Sequence, residues 1–125
     1  MSFETPLHRV QGLGSAHSGV SHFWRERVTA AALIPLSAWF VISLVRLVGT
    51  SEAETAAFFQ HPWNAVLMGL FILLSCVHMT LGLQAVIDDY VHSAGQRIAL
   101  LLLNRAFAWL IGALSLVSLL RLAVG

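Results

Sequence analysis

The chain has 125 residues, of which 58% are hydrophobic and only 10% are charged. Soluble domains carry about 25% charged residues, so this chain lacks the polar side chains needed to cover a surface in water, and its solvent must be lipid. A formal net charge of +1 excludes electrostatic binding of nucleic acid. The single cysteine, Cys76, excludes an internal disulfide and a thiolate site for zinc or iron–sulfur.

The first 21 residues differ from the rest of the chain. They contain charged residues and no apolar run of the kind that a signal peptide requires. Glycines, including Gly19, favour an irregular backbone in this part. The sequence therefore predicts two parts, a polar N-terminal tail over residues 1–21 and a transmembrane anchor domain over residues 22–125.

Three long stretches with few or no charged residues follow the tail. A helix needs about 20 apolar residues to cross a bilayer, and each stretch is long enough. The expected fold is all-α, with transmembrane helices over about 22–48, 62–91 and 96–123. Pro35 is expected to kink the first span, which a lipid-embedded helix tolerates.

The distribution of arginine predicts the orientation. Arginines flank the first span at its start and follow the second span, whereas the connection over residues 49–61 carries Glu52 and Glu54. Because positively charged flanks stay in the cytoplasm, the N-terminus is expected to be cytoplasmic and the C-terminus periplasmic. Trp24, Trp63 and Tyr90 fall at span ends, where amphipathic rings prefer to lie.

His78 is an ionisable residue deep within the second span. A polar group at this depth is costly, so a functional role is favoured over a merely satisfied polar residue. Gly82, Ala85 and Asp89 follow it on the same helix face and leave room for a flat ligand beside the imidazole, as haem ligation requires. The alternative is a small-residue contact between helices, with His78 hydrogen-bonded across it.

A six-coordinate haem would need a second axial ligand. His61 lies on the same helix about 25 Å away at about 1.5 Å per residue, so one haem cannot bridge the two histidines. The second ligand would then come from another chain, which predicts a hetero-oligomer. A bundle of three helices also has too little interior for a pore or an enclosed pocket of its own.

Two further groups of residues carry chemistry. Asp88, Asp89 and Tyr90 close the second span, where a phenol could hydrogen-bond a quinone carbonyl and a carboxylate could relay protons. The alternative is an aromatic anchor beside a solvated helix end. Arg25 and Arg27 open the first span and could pair with haem propionates, or they could set the topology alone.

Blocks of sequence in two of the spans resemble a known family. The blocks are His78–Gly82, Val86–Val91 and His22–Ala30. The first two look like the H-x-x-x-G…D-Y pattern of the smaller hydrophobic membrane anchor of succinate dehydrogenase (respiratory complex II), and the third is similar to the bacterial version of that anchor.

The resemblance implies roles for particular residues. His78 would be an axial ligand of haem b, with Gly82 beside the haem and Arg27 at a propionate. Asp89 and Tyr90 would belong to the ubiquinone site. Ser21 stands where some relatives have a histidine near the propionates, and His22 could take the place of that histidine.

The implied protein is a multi-pass component of the bacterial inner membrane with no catalytic residues or activity of its own. It would share haem b with the other hydrophobic chain of succinate dehydrogenase, its companion in the membrane, and assemble with the iron–sulfur and flavoprotein subunits. Electrons would pass from succinate to ubiquinone. The alternatives are a fumarate reductase anchor working with menaquinol, and a haem-free three-span assembly or scaffold protein.

Overall fold

The computed structural model describes residues 16–125, with side chains from residue 20 onwards. In this range the chain forms four helices, which are α1 (Ala16–Leu47), α2 (Glu52–Gln60), α3 (Pro62–Tyr90) and α4 (Ala94–Val124). Three of them, α1, α3 and α4, are long and apolar enough to cross a membrane. The predicted fold class, all-α with three spanning helices, is therefore confirmed.

The helix bounds agree closely with the prediction for α3 and differ at the starts of the other two spans. Helix α1 begins at Ala16 rather than at residue 22, so Gly19 is helical. One glycine costs a helix only about 0.5–1 kcal/mol, too little to stop it. The first 15 residues of the predicted tail lie outside the described residues. Helix α1 continues through Pro35, which is exposed, and the bend expected there stays a prediction.

The connection over residues 49–61 contains a short helix that the sequence analysis did not predict. A reciprocal capping box starts α2: the Ser51 hydroxyl accepts from the Glu54 N–H at 3.2 Å, and the Ser51 N–H donates to the Glu54 carboxylate at 2.7 Å. The hydrogen bonds from the backbone and the hydroxyl of Ser51 lower the pKa of Glu54. Phe59 of this helix is buried, which fixes α2 against the spans.

Helix α3 lies between the other two spans. It packs against α1 on one side and α4 on the other, while α1 and α4 make almost no direct contact in the part of the chain described. The α1–α3 contact includes a stacked pair of rings, Phe40 and Phe71, with centroids 4.5 Å apart. The spans thus form a layer with α3 in the middle.

The contact between α3 and α4 uses small residues. Asn104, Ala108 and Gly112 recur every fourth residue of α4 and are all buried, which allows two backbones to approach closely. A Cβ added at Gly112 would lie 3.4 Å from the Cys76 sulfur. The Asn104 side-chain amide donates to the Thr80 carbonyl at 3.0 Å and ties the two helices together.

Very little apolar surface is hidden inside this layer. Among the described residues, only Phe59, Leu81 and Ala108 are buried hydrophobic residues, and many large apolar side chains on all three spans are exposed. In water this would be a large exposed patch. The outer faces of the layer must therefore be covered by lipid or by other subunits.

Candidate functional site

His78 lies near the middle of α3 and faces α1. Its Nδ1 is 2.9 Å from the hydroxyl oxygen of Thr29, a residue of α1 that is only 7% exposed. The Nε2 atom has no hydrogen bond to any residue in the range 20–125. One ring nitrogen is therefore held by Thr29, and the other has no hydrogen-bond partner among the residues that the structure describes.

The Thr29 hydroxyl has two further neighbours, both on its own helix. It lies 2.8 Å from the Arg25 carbonyl oxygen and 3.1 Å from the Glu26 carbonyl oxygen. Threonine commonly bonds back to carbonyls three and four residues earlier in a helix. These contacts fix the hydroxyl at the α1–α3 boundary and bring the imidazole to a defined position.

The face of α3 beside His78 has open space at Gly82. A Cβ added at Gly82 would meet no atom within 4 Å, so space extends outward from the helix here. Ala85 and Asp89 continue the same face at intervals of three and four residues. A neutral imidazole with a free nitrogen beside an open, small-residue face is a donor set that fits haem iron, so these residues fit the group.

The two adjacent aspartates at the C-terminal end of α3, Asp88 and Asp89, have different surroundings. Asp88 accepts a hydrogen bond from the Arg97 guanidinium at 2.7 Å, which joins the end of α3 to the first turn of α4. Asp89 has no ion pair within the described residues and is exposed. Tyr90 is 79% exposed. The structure therefore assigns Asp88 to the turn and leaves Asp89 and Tyr90 facing outward.

A cavity of about 450 Å³ lies at this turn, but Asp89 and Tyr90 do not line it. Its lining comprises Asp88, Val91, His92, Ala94, Arg97, Ile98 and Leu101. Among the described residues, the two residues predicted to bind quinone therefore lie outside this cavity, on the exposed end of α3.

The basic start of α1 lies apart from His78. The Arg27 guanidinium sits over the Phe23 ring, 5.0 Å from its centroid, and Arg27 is exposed. His22 is half-buried, and its Nε2 atom is buried with no hydrogen-bond partner among the described residues. The structure does not bring Arg27 into contact with His78, so a group linking them would have to span the distance along α1.

Comparison with known proteins decides the family. The family model described as Succinate dehydrogenase/Fumarate reductase transmembrane subunit matches residues 1–112. The chain belongs to this family. The resemblance of its spans to the hydrophobic membrane anchor of succinate dehydrogenase is thereby confirmed, and three apolar spans make this member of the family a multi-pass membrane protein.

Curated relatives cover most or all of the chain. The Succinate dehydrogenase hydrophobic membrane anchor subunit of Paracoccus denitrificans is 35% identical over 125 residues, which is 100% of this chain and 96% of that protein. The protein of the same name from Rickettsia typhi is 25% identical over 84% of each chain. A Succinate dehydrogenase membrane anchor subunit of Reclinomonas americana is 26% identical over 73% of this chain and 78% of that protein. No solved structure matches the chain.

The structure adds residues that the sequence analysis of this family member did not single out. Thr29 contacts His78, Arg97 pairs with Asp88, and Asn104 bridges α3 and α4. A polar residue inside an apolar span is the signal that could have marked Thr29 and Asn104. A groove of about 540 Å³ between α3 and α4, with Arg105 in its lining, was also not predicted.

Proposed function

We propose that this family member is the membrane anchor and cytochrome b subunit of a bacterial succinate:quinone oxidoreductase. It lies in the inner membrane with a cytoplasmic N-terminus and a periplasmic C-terminus. Its partners are the companion hydrophobic chain, the iron–sulfur subunit and the flavoprotein subunit, and electrons pass from succinate to ubiquinone. All the relatives named above are succinate dehydrogenase anchors, which supports this direction over fumarate reduction.

One observation carries the proposal: His78 has one ring nitrogen held by Thr29 and the other free, beside the open face at Gly82. An unpaired nitrogen inside a membrane span is expensive. In a complex that cost is removed if Nε2 binds iron. When bound, haem b would supply a one-electron carrier.

The same geometry supports a haem shared with another chain. His61 is the N-cap of α3, and its Nδ1 accepts from the Trp63 N–H at 3.3 Å. It lies about 25 Å along the helix from His78. His22 is about two turns of α1 from Thr29, or roughly 10 Å. Neither histidine reaches the level of His78, so a second histidine for the haem would have to come from the companion hydrophobic chain.

The start of α1 provides the polar end of the haem site. Since the α1–α3 contact is antiparallel, the chain from Thr29 back to His22 runs alongside the face from His78 to Asp89. Arg27 on this segment is exposed and can form a bidentate pair with a propionate carboxylate. His22 has a buried nitrogen with no hydrogen-bond partner among the described residues. Both residues would hold propionates in the assembled complex.

The quinone site is proposed at the C-terminal end of α3. The Tyr90 hydroxyl donates to a quinone carbonyl, and the Asp89 carboxylate orients the site and passes protons. Asp88 is given no part in this proposed site, because its carboxylate pairs with Arg97. The exposure of Asp89 and Tyr90 supports a pocket that is closed by neighbouring subunits.

The haem assignment is tested by His78→Ala in the purified four-subunit complex. We expect the low-spin b-type signal in the reduced-minus-oxidised spectrum to fall or disappear, because one axial bond is lost. His92→Ala is the matched control, since His92 is exposed at the turn after α3 and should leave the spectrum unchanged. An unaltered low-spin signal in His78→Ala would remove His78 as a ligand.

A further inference from the structure

The contact between Thr29 and His78 has a definite direction of hydrogen bonding. A threonine hydroxyl has one proton and two lone pairs, and a neutral imidazole has one N–H and one bare nitrogen. The hydroxyl oxygen lies 2.8 Å from the Arg25 carbonyl and 2.9 Å from His78 Nδ1. The position of the proton in each of these two contacts determines which nitrogen of His78 is free to bind a metal.

The contact with the Arg25 carbonyl determines the direction of both hydrogen bonds. Carbonyl oxygens only accept hydrogen bonds, so two oxygens 2.8 Å apart need a proton between them, and only Thr29 can supply it. The Glu26 carbonyl at 3.1 Å is a second acceptor for the same proton. With its own proton directed to its helix, the hydroxyl can only accept from His78. The proton of the imidazole must then be on Nδ1.

We propose that Thr29 is a positioning residue that holds His78 in the tautomer with its proton on Nδ1 and its lone pair on Nε2, aimed at the haem iron. The inference rests on the proposed haem function and adds a residue to it. Metal-bound histidines usually donate their second N–H to a carboxylate or carbonyl, which fixes the tautomer and the ring orientation. Here the acceptor is the Thr29 hydroxyl, which is itself hydrogen-bonded to the backbone of α1.

The position of Thr29 makes it suited to this role. It is buried between two spans, so no water competes for the imidazole proton. Its hydroxyl is held by the α1 backbone, so the ring of His78 is oriented by α1 rather than by α3 alone. Donating a hydrogen bond from Nδ1–H to the Thr29 hydroxyl also makes the imidazole a stronger electron donor, which favours the oxidised iron. Loss of the hydroxyl should therefore shift the haem potential in the positive direction.

The test uses Thr29→Val, Thr29→Ser and Ser43→Ala in the purified complex. Valine keeps the shape and removes the hydroxyl, and serine restores the hydroxyl. Ser43 is another buried hydroxyl residue of α1, so Ser43→Ala controls for general loosening of this helix. The measurements are haem bound per assembled complex, the haem midpoint potential, and the electron paramagnetic resonance of the oxidised haem, which reports ring orientation.

We expect Thr29→Val to weaken haem retention by about tenfold to a hundredfold, the range for second-shell partners of metal ligands, to raise the midpoint potential and to alter the resonance spectrum. Thr29→Ser and Ser43→Ala should resemble the wild type. A wild-type potential and spectrum in Thr29→Val would overturn the role of Thr29, as would a Thr29→Ser variant as impaired as Thr29→Val. Persistence of the low-spin haem in His78→Ala would instead refute the proposed function itself.

Discussion

Replacing Tyr90 by Phe removes one hydroxyl at the end of α3 and keeps the ring. The side chain is 79% exposed in the isolated chain, so the change should not disturb the packing of α3. A lost hydrogen bond to a quinone carbonyl costs about 0.5–1.5 kcal/mol. Because about 1.4 kcal/mol corresponds to a tenfold change in rate, quinone reduction should slow by about twofold to tenfold.

The neighbouring aspartates provide a matched pair. Asp89→Asn should slow quinone reduction, since the carboxylate is unpaired within the described residues. Asp88→Asn breaks an ion pair whose side chains are 34% exposed for Asp88 and 50% exposed for Arg97. Such pairs contribute about 0.2–1 kcal/mol to stability, so this variant should weaken the turn slightly and leave quinone reduction near the wild-type rate.

The assay is succinate oxidation by the intact complex with two acceptors. One is ubiquinone, and the other is an artificial acceptor that takes electrons before they enter the membrane. Tyr90→Phe and Asp89→Asn should reduce only the ubiquinone rate. Equal ubiquinone turnover in wild type and Tyr90→Phe would show that the ring is only an interface anchor, and equal losses in Asp88→Asn and Asp89→Asn would refute the division between the two carboxylates.

Three further outcomes follow from the structure. In a Cys76→Ser background, an impermeant thiol reagent applied from the periplasm should label a cysteine at Glu52 and spare one at Ala94, and the reverse pattern would invert the orientation. Gly112→Leu should lower the yield of assembled complex, because even a Cβ there reaches 3.4 Å from the Cys76 sulfur. Since the pKa of Glu54 is lowered, its stabilisation of α2 is fully present above the unfolded value near 4.5 and is lost as pH falls through the folded value. The protection of the α2 amides, taken relative to their intrinsic exchange rate at each pH, should fall there, and less so in Glu54→Gln.

The spans were predictable because membrane insertion depends on local apolar length, which needs no knowledge of tertiary contacts. For the same reason, His78 stood out as a costly group within an apolar helix. The short helix α2 was also readable, since Ser51 and Glu54 form the Ser-x-x-Glu pattern of a capping box. Hydropathy does not reveal this helix, because its nine residues are too few to span a bilayer.

The partners of these residues could not be read from the sequence. That Thr29 meets His78 depends on how α1 and α3 are shifted along each other, a property of packing between distant segments. The difference between Asp88 and Asp89 depends on the position of Arg97 after the turn. Adjacent helical residues point about 100° apart, so the two carboxylates cannot both face Arg97, and the composition of the turn does not say which one does.

The position of α3 between the other two spans affects the order in which the spans can pack during synthesis. The two contacts between spans, α1 with α3 and α3 with α4, both join spans that are consecutive in the sequence. When α3 enters the membrane, its partner α1 has already been inserted, and when α4 enters, its partner α3 has already been inserted. The first and last spans do not need to contact each other. Synthesis in chain order can thus complete the three-span layer before any other subunit arrives, with the free nitrogen of His78 left for the assembly that follows.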